Sequence, residues 1–442
     1  MNPYRTLPKI DQLLNWPEFD GYSRPLLLEA ARESLEALRA RIAAGESGAI
    51  PREEILRKVE ERYRAKLRPS LQPLVNATGV IIHTNLGRSP IDPALFDEAR
   101  QIATGYCNLE YDLEAGRRGD RYDHTAGALR ELLGVEDALI VNNNAAAVYL
   151  ILNTFAKGKE AIVSRGELVE IGGSFRIPEV MAASGAILKE VGTTNKTRIA
   201  DYERAITPET AMLMKVHKSN YTIEGFSAEA TMEEISVLAK ERGVIDYYDL
   251  GSAYLPDLPW GLGAGEPPLG RILERAPSLL SFSGDKLLGG VQAGIILGSR
   301  ELIAELKSNQ ILRMFRVDKL TLALLERTIL AYRRGDLERI PVLRMLFETP
   351  LRLRERAEIL RGRLPIPAEI AESETYVGGG TMPGRKIPTV VLALEGDPEA
   401  LEKHFRSRRI IGRIEKERFV LDLRTVSERE FEAIIDAAKE LK

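Results

Sequence analysis

A chain of 442 residues, 44% hydrophobic and 29% charged, is long enough for two or three domains and a large core. Its net charge of −3 excludes a bulk basic protein, so any nucleic-acid binding has to use a local patch. The single cysteine, Cys107, excludes a disulfide framework and a cysteine zinc site, and His83, His124, His217 and His404 lack metal-ligand spacing.

The amino end, Met1 to Asp11, has no charged-then-apolar signal pattern, and no run of about 18 apolar residues suggests a membrane span. A cytoplasmic location is therefore expected. Residues 1–68 read as a helical unit. Ile10 to Trp16 suits a short helix, and Arg24 to Ala44 a longer one, with Leu26, Leu27, Ala30, Leu35 and Leu38 near helical spacing. Gly45-Glu46-Ser47-Gly48 stops it, and Pro51 opens a third helix running to about Leu67. That helix carries Arg57, Lys58, Arg62, Arg64 and Lys66, with Arg68 just beyond, interleaved with Glu53, Glu54, Glu60 and Glu61. Either it is a solvated face with i,i+4 pairs, or it faces nucleic acid. Pro69 and Pro73 mark a linker.

From Val75 the texture becomes α/β, and residues 69–338 are expected to form the catalytic domain. Thr78 to Arg88 reads as an apolar strand ending in a glycine-containing loop, where Arg88 could bind an anion. Leu113 to Arg121 reads as a polar, glycine-rich loop, long enough to reach a neighbouring subunit. Ala138 to Ala147 reads as a strand running into a helix, and the tight turn at Asn142-Asn143-Asn144 leaves N–H groups of Ala145 and its neighbours free for a phosphate. Strands at 160–164, 186–191 and 212–217 alternate with helices at 179–184 and 232–242. That alternation predicts a mostly parallel sheet covered on both faces, with ligands beyond the carboxyl ends of the strands.

Gly243 to Ser252 reads as a strand ending in Asp249. A carboxylate there suits a protonated pyridine nitrogen, with Asp246 a weaker competitor. Ser281-Phe282-Ser283-Gly284-Asp285-Lys286-Leu287-Leu288-Gly289-Gly290 follows a short apolar run. A lysine among small residues suits covalent attachment to a flat cofactor, because the backbone approaches closely and the amine is desolvated. This predicts a pyridoxal phosphate (PLP) Schiff base at Lys286. Arg313 and Arg316, three apart, are expected to share one helical face and suit a di-anion. Residues 339–442 have the α+β texture of a smaller C-terminal domain, with helices at 352–360, 398–406 and 428–441 and strands at 389–394 and 419–423.

Several stretches together carry a resemblance. They are Asn76 to Gly79 leading into His83 to Arg88, Asn142 to Ala147, Ser164 to Arg176, Asp249 to Ser252, the lysine stretch and Leu312 to Lys319. The chain resembles the bacterial selenocysteine synthase family, the L-seryl-tRNA(Sec) selenium transferases, over essentially its whole length. The resemblance implies a PLP-dependent, aspartate-aminotransferase-like (fold type I) large domain and a tRNA-binding N-terminal domain. It implies conversion of seryl-tRNA(Sec) to selenocysteinyl-tRNA(Sec) with selenophosphate, through an aminoacrylyl-tRNA intermediate. Lys286 would hold the cofactor, Asp249 its ring nitrogen, and Asn144, Ala145 and Ser283 its phosphate. Arg88, Arg313 and Arg316 would bind selenophosphate, and Asp285 would assist hydroxyl departure or orient Lys286. The family implies a ring-shaped decamer, a pentamer of dimers, with Thr193, Thr194 and Tyr221 at dimer–dimer contacts. Two other readings use the same residues: a PLP lyase for a small amino acid or amino sugar phosphate, and a tRNA-binding protein with a vestigial site.

Overall fold

The computed structural model describes residues 3–45, 48–171, 175–223, 225–264, 267–275 and 277–441. Glu46 and Ser47 of the expected helix stop, and Gly172, Gly173 and Ser174 of the Ser164–Arg176 motif, lie outside the described residues. The chain forms two compact units, Met1–Leu74 and Val75–Lys442. The first division therefore falls a little past the expected residue 68. The expected boundary at 338 falls within the second unit, just ahead of a helix at Pro341–Phe347.

In the first unit, α1 (Arg24–Ala43) packs on α2 (Arg52–Leu67). Leu27, Ala31, Leu35 and Leu38 on α1 meet Ile55 and Val59 on α2, and Leu13 and Phe19 close the same core. The apolar residues fall at helical spacing, so each helix has one buried stripe. The basic side chains of α2 are mostly met by carboxylates: Arg57 by Glu61 at 2.7 Å, Lys66 by Glu33 at 2.6 Å and Arg64 by Glu60 at 3.6 Å.

The second unit is built on a seven-stranded sheet. Its strands are β1 (Asp137–Val141), β2 (Glu160–Ser164), β3 (Ile187–Val191), β4 (Thr210–Val216), β5 (Ile245–Ser252), β6 (Leu279–Ser283) and β7 (Gly294–Gly298). Their spatial order is β1-β7-β6-β5-β4-β2-β3, and only β7 runs against the rest. Helices including α3 (Asn144–Phe155) and α4 (Met232–Arg242) cover the sheet. Ile140, Ile162, Leu213 and Phe282 enter one apolar layer, and Leu139, Val163, Met214 and Tyr247 enter the other. Burial on both faces explains why these strands read as near-continuous apolar runs.

A second, antiparallel sheet of order β8-β9-β11-β10 follows: β8 (Ala368–Gly378), β9 (Thr381–Leu394), β10 (Arg413–Glu415) and β11 (Arg418–Asp422). Helices Pro350–Arg363, Pro398–Ser407 and Phe431–Lys439 pack on it around Leu392, Phe405, Phe419 and Leu421.

Three expectations are corrected. Thr78 to Arg88 is not a strand of the main sheet. Only Val75–Asn76 is a strand, parallel to Ile410–Ile411, and Thr84–Leu86 is a 3-10 turn. The apolar residues Ile81 and Ile82 are buried because Ile82 bridges to Gly378 at the β8–β9 turn. Leu113 to Arg121 is part of a tight hairpin, Tyr111–Asp112 against Arg117–Arg118. Arg313 and Arg316 do not share a helical face: Gln310–Phe315 is a 3-10 helix and Arg316 is already extended, with φ −66° and ψ 132°.

Candidate functional site

The carboxyl ends of β4, β5 and β6 and the amino end of α3 bring the predicted residues together. Lys286 follows β6 in a loop folded on itself, where Gly284 N–H donates to Ala293 O at 2.9 Å and Gly290 N–H to Gly284 O at 2.9 Å. A Cβ on Gly284 would lie 2.6 Å from Val291 O, so only glycine fits. The loop buries Lys286 to 6% exposure. Ser89 Oγ donates to Lys286 O at 2.9 Å, and Leu287 N–H to Ser252 Oγ at 3.3 Å.

Asp249 lies on β5. Its Oδ1 accepts from Asn144 Nδ2 at 2.8 Å and from Gly251 N–H at 3.0 Å. Asp246 faces the other side of the strand, held through Oδ2 by Ser236 Oγ at 2.6 Å and through Oδ1 by Ser278 Oγ. Strand alternation thus points Asp249, not Asp246, toward Asn144. Burial raises the Asp249 carboxyl above the usual carboxylate range, against the bonds from Asn144 and Gly251. Burial also lowers the Lys286 amine, and Arg88 lowers it further. Asn143 caps α3 by accepting from Ala146 N–H at 2.8 Å. Ser283 pairs with Gly294, and a Cβ on Gly294 would meet Asn143 O at 2.2 Å, so Ser283 lies close to the same helix end as Asn144 and Ala145.

Arg88, held at φ +62°, places Nη1 2.9 Å from Asp285 Oδ2. It therefore joins the lysine cluster. Arg313 and Arg316 instead line a second cleft of about 660 Å3 with Arg117, Arg118, Arg121 and Glu110. Arg313 is exposed there, and Arg316 is bonded to Glu110. Within one chain the three arginines do not share a wall.

Sequence reasoning missed His217 and Ser219, which follow β4. Lys218, Ser219 and Asn220 form with His217 a polar run at a strand's carboxyl end, which is the signal that would have found them. Burial, reinforced by Lys215 and then Lys286, lowers His217 to about 4, so the ring is neutral. Ser219 Oγ and Lys286 Nζ lie 3.8 and 3.9 Å from where a Cβ on Gly251 would sit. Behind this segment Lys215 forms a buried ion pair with Glu167 at 3.0 Å. Asn142 Oδ1, Asn144 Oδ1, Ser219 Oγ and Asp285 Oδ1 are buried without a hydrogen-bond partner. Such a gathering of orphaned polar atoms marks a place built for a polar ligand.

The L-seryl-tRNA selenium transferase family model matches residues 74–427, and the selenocysteine synthase N-terminal model matches residues 4–39. The chain is 58% identical to the L-seryl-tRNA(Sec) selenium transferase of Nautilia profundicola, over 98% of this chain and 97% of that protein. It is 52% identical to that of Sulfurimonas denitrificans, over 99% and 98%. Among solved structures, D-glucosaminate-6-phosphate ammonia-lyase aligns with a TM-score of 0.60 at 18% identity, over 85% of this chain and 98% of that one, a likeness of fold.

Proposed function

Since the chain belongs to the L-seryl-tRNA selenium transferase family, we propose that it converts seryl-tRNA(Sec) to selenocysteinyl-tRNA(Sec), with PLP as cofactor and selenophosphate as selenium donor. The observation that carries the reading is the meeting of Lys286, Asp249 and the amino end of α3 at the carboxyl end of the central strands. The donor set fits PLP. Lys286 supplies a buried amine with a lowered pKa, the α3 amino end supplies N–H groups for a phosphate, and Asp249 keeps Oδ2 for a ring N–H. A cationic partner there offsets the burial that raises the Asp249 carboxyl.

When bound, PLP supplies an electron sink for negative charge at the seryl Cα. The remaining work falls to the protein. Lys286 Nζ, biased toward its neutral form, accepts the Cα proton. Asp285, anchored by Arg88 through Oδ2, keeps Oδ1 for the departing hydroxyl. Arg88 lies beside Lys286 and meets an incoming anion. Arg313 and Arg316 serve the same anion in an oligomer, in which a partner subunit brings the second cleft to the site. The ring of ten subunits is part of this reading, and exposed Tyr106, Leu113, Phe226 and Met314 provide apolar surface for it. No described helix is long and apolar enough to cross a membrane, and the reading is of a cytoplasmic enzyme.

Incubation with seryl-tRNA(Sec) and selenophosphate, followed by analysis of the aminoacyl group, tests the function. Borohydride reduction should fix PLP on Lys286 and not on Lys286→Ala. An adduct on another lysine would sink the site.

A further inference from the structure

Beside the lysine cluster lies a cavity of about 430 Å3 that the chemistry above does not use. Its size is within the roughly 300–1,000 Å3 of small-ligand pockets. One wall is the segment after β4, including His217, Lys218 and Ser219. The β8–β9 hairpin at Thr381, Met382 and Arg385 also lines it, as do Tyr254 and Arg275. Three features define what it would take. Lys218 is balanced by Glu229 at 3.0 Å and Arg275 by Glu233, whereas Arg385 donates to a carbonyl, Ala264 O, at 2.6 Å. Among the described residues Arg385 has no carboxylate partner. Tyr254 contributes an aromatic wall, 4% exposed. Ser219, 1% exposed, lines the cavity with an unpartnered Oγ, and it also borders the position near Lys286 Nζ.

An anion-seeking guanidinium, an aromatic surface and a buried hydroxyl suit a ribonucleotide: phosphate, base and ribose. Glycine at the hairpin turn lets it pack closely: a Cβ on Gly379 would meet Ile82 Cγ2, and one on Gly380 would lie 3.7 Å from Asn220 Cβ, next to Ser219. On the proposed function, the seryl group that reaches Lys286 is joined to its RNA by a single ester linkage. The terminal ribose must therefore sit next to the lysine, on the side where space and polar groups exist. We infer that this cavity, with Arg385, Tyr254 and Ser219, holds the 3′-terminal adenosine nucleotide of the aminoacylated RNA.

The test uses the full-length, PLP-loaded protein and a seryl-tRNA ending in 8-azidoadenosine, photolysed and mapped by mass spectrometry. Crosslinks are expected within 217–223, 248–254 or 381–385, displaced by unlabelled seryl-tRNA and not by an equal concentration of free AMP. In parallel, Arg385→Ala should raise KM for seryl-tRNA at least about tenfold, the loss of one charge-assisted hydrogen bond, with kcat nearly unchanged, and Arg385→Lys should recover part of it. Crosslinks elsewhere or none, displacement by AMP alone, or an unchanged KM in Arg385→Ala overturns the inference. Crosslinks in the cavity of a wild-type protein that does not transfer selenium would instead overturn the functional reading and leave the nucleotide site standing.

Discussion

The side-chain amide of Asn144 donates to Asp249 Oδ1 at 2.8 Å, tying the first residue of α3 to the carboxylate on β5. The helix end proposed to face the cofactor's phosphate and the acid proposed to face its ring nitrogen are thus tied by one bond. Asn144→Ala removes a contact that lowers the Asp249 carboxyl, leaving burial to raise it further. The expected result is PLP affinity weakened about tenfold, the scale of one hydrogen bond to a charged group. Absorbance titration of the PLP-free protein measures it, and an unchanged Kd would remove Asn144 from the cofactor's surroundings.

His217 gives a pH prediction. Its ring titrates at about 4 in the folded chain against an ordinary 6.5, because of burial and then Lys215. Between those values the unfolded chain binds a proton that the folded chain refuses, so stability falls as pH drops from 6.5 toward 4. The loss is on the order of 3 kcal/mol at most. Urea midpoints across that window should fall less steeply in His217→Gln. Parallel curves for the two proteins would show that the ring is protonated in the folded state.

The arginines divide by location. Arg88→Ala strips Asp285 of its 2.9 Å partner and removes a cationic neighbour of Lys286. The Lys286 amine then rises, and because it must be neutral to accept a proton, the ascending, acid-side limb of the pH–rate profile moves to higher pH. Arg313→Ala, at an exposed position, should leave thermal stability alone and raise KM for selenophosphate about tenfold. Equal turnover of Arg313→Ala and wild type at limiting selenophosphate would place the anion pocket elsewhere.

Removal of residues 1–74 tests the role of the first unit. Its core of Leu27, Leu35, Leu38, Ile55 and Val59 is its own, so the remaining chain should melt as before and still bind PLP. Seryl-tRNA(Sec) affinity should collapse, and binding by the full chain should fall steeply with salt. The ion pairs of α2 make the competition concrete: a phosphate must displace carboxylates such as Glu33 from Lys66. Binding of the shortened chain at full strength, at matched salt, would make this unit an assembly or packing element.

The main sheet was legible because its strands are short apolar runs that end in polar residues. Asn144 and Lys286 follow such strands, Asp249 sits within β5, which runs on to Ser252, and the structure gathers all three. The same rule misled at Thr78–Arg88, where Ile81 and Ile82 are apolar for a partner nearly three hundred residues away. Strand β8 was missed because it alternates charged and small residues, with much of one face exposed, and β9 was cut short because Pro383 and Pro388 argue against a strand. The spacing of Arg313 and Arg316 suggested a helical face, but a 3-10 turn ends between them. No local pattern announces which wall of a folded chain an arginine will line.

The pairing of Val75–Asn76 with Ile410–Ile411 has a consequence in time. Val75 N–H donates to Arg409 O, Ala77 N–H to Ile411 O and Ile82 N–H to Val377 O, while Gly79 N–H donates to Thr425 Oγ1 at 3.1 Å. The arm that leads into Arg88 is synthesised early, yet it is stitched down by strands and a turn made almost last. At about 5–20 residues per second, the nascent arm waits roughly twenty seconds to a minute for those partners. Closure of such distant contacts is slow, so the lysine loop can fold before the arginine beside it is fixed. A stop codon that trims the chain ahead of Arg409 would remove these partners and disable a site whose own residues were all complete.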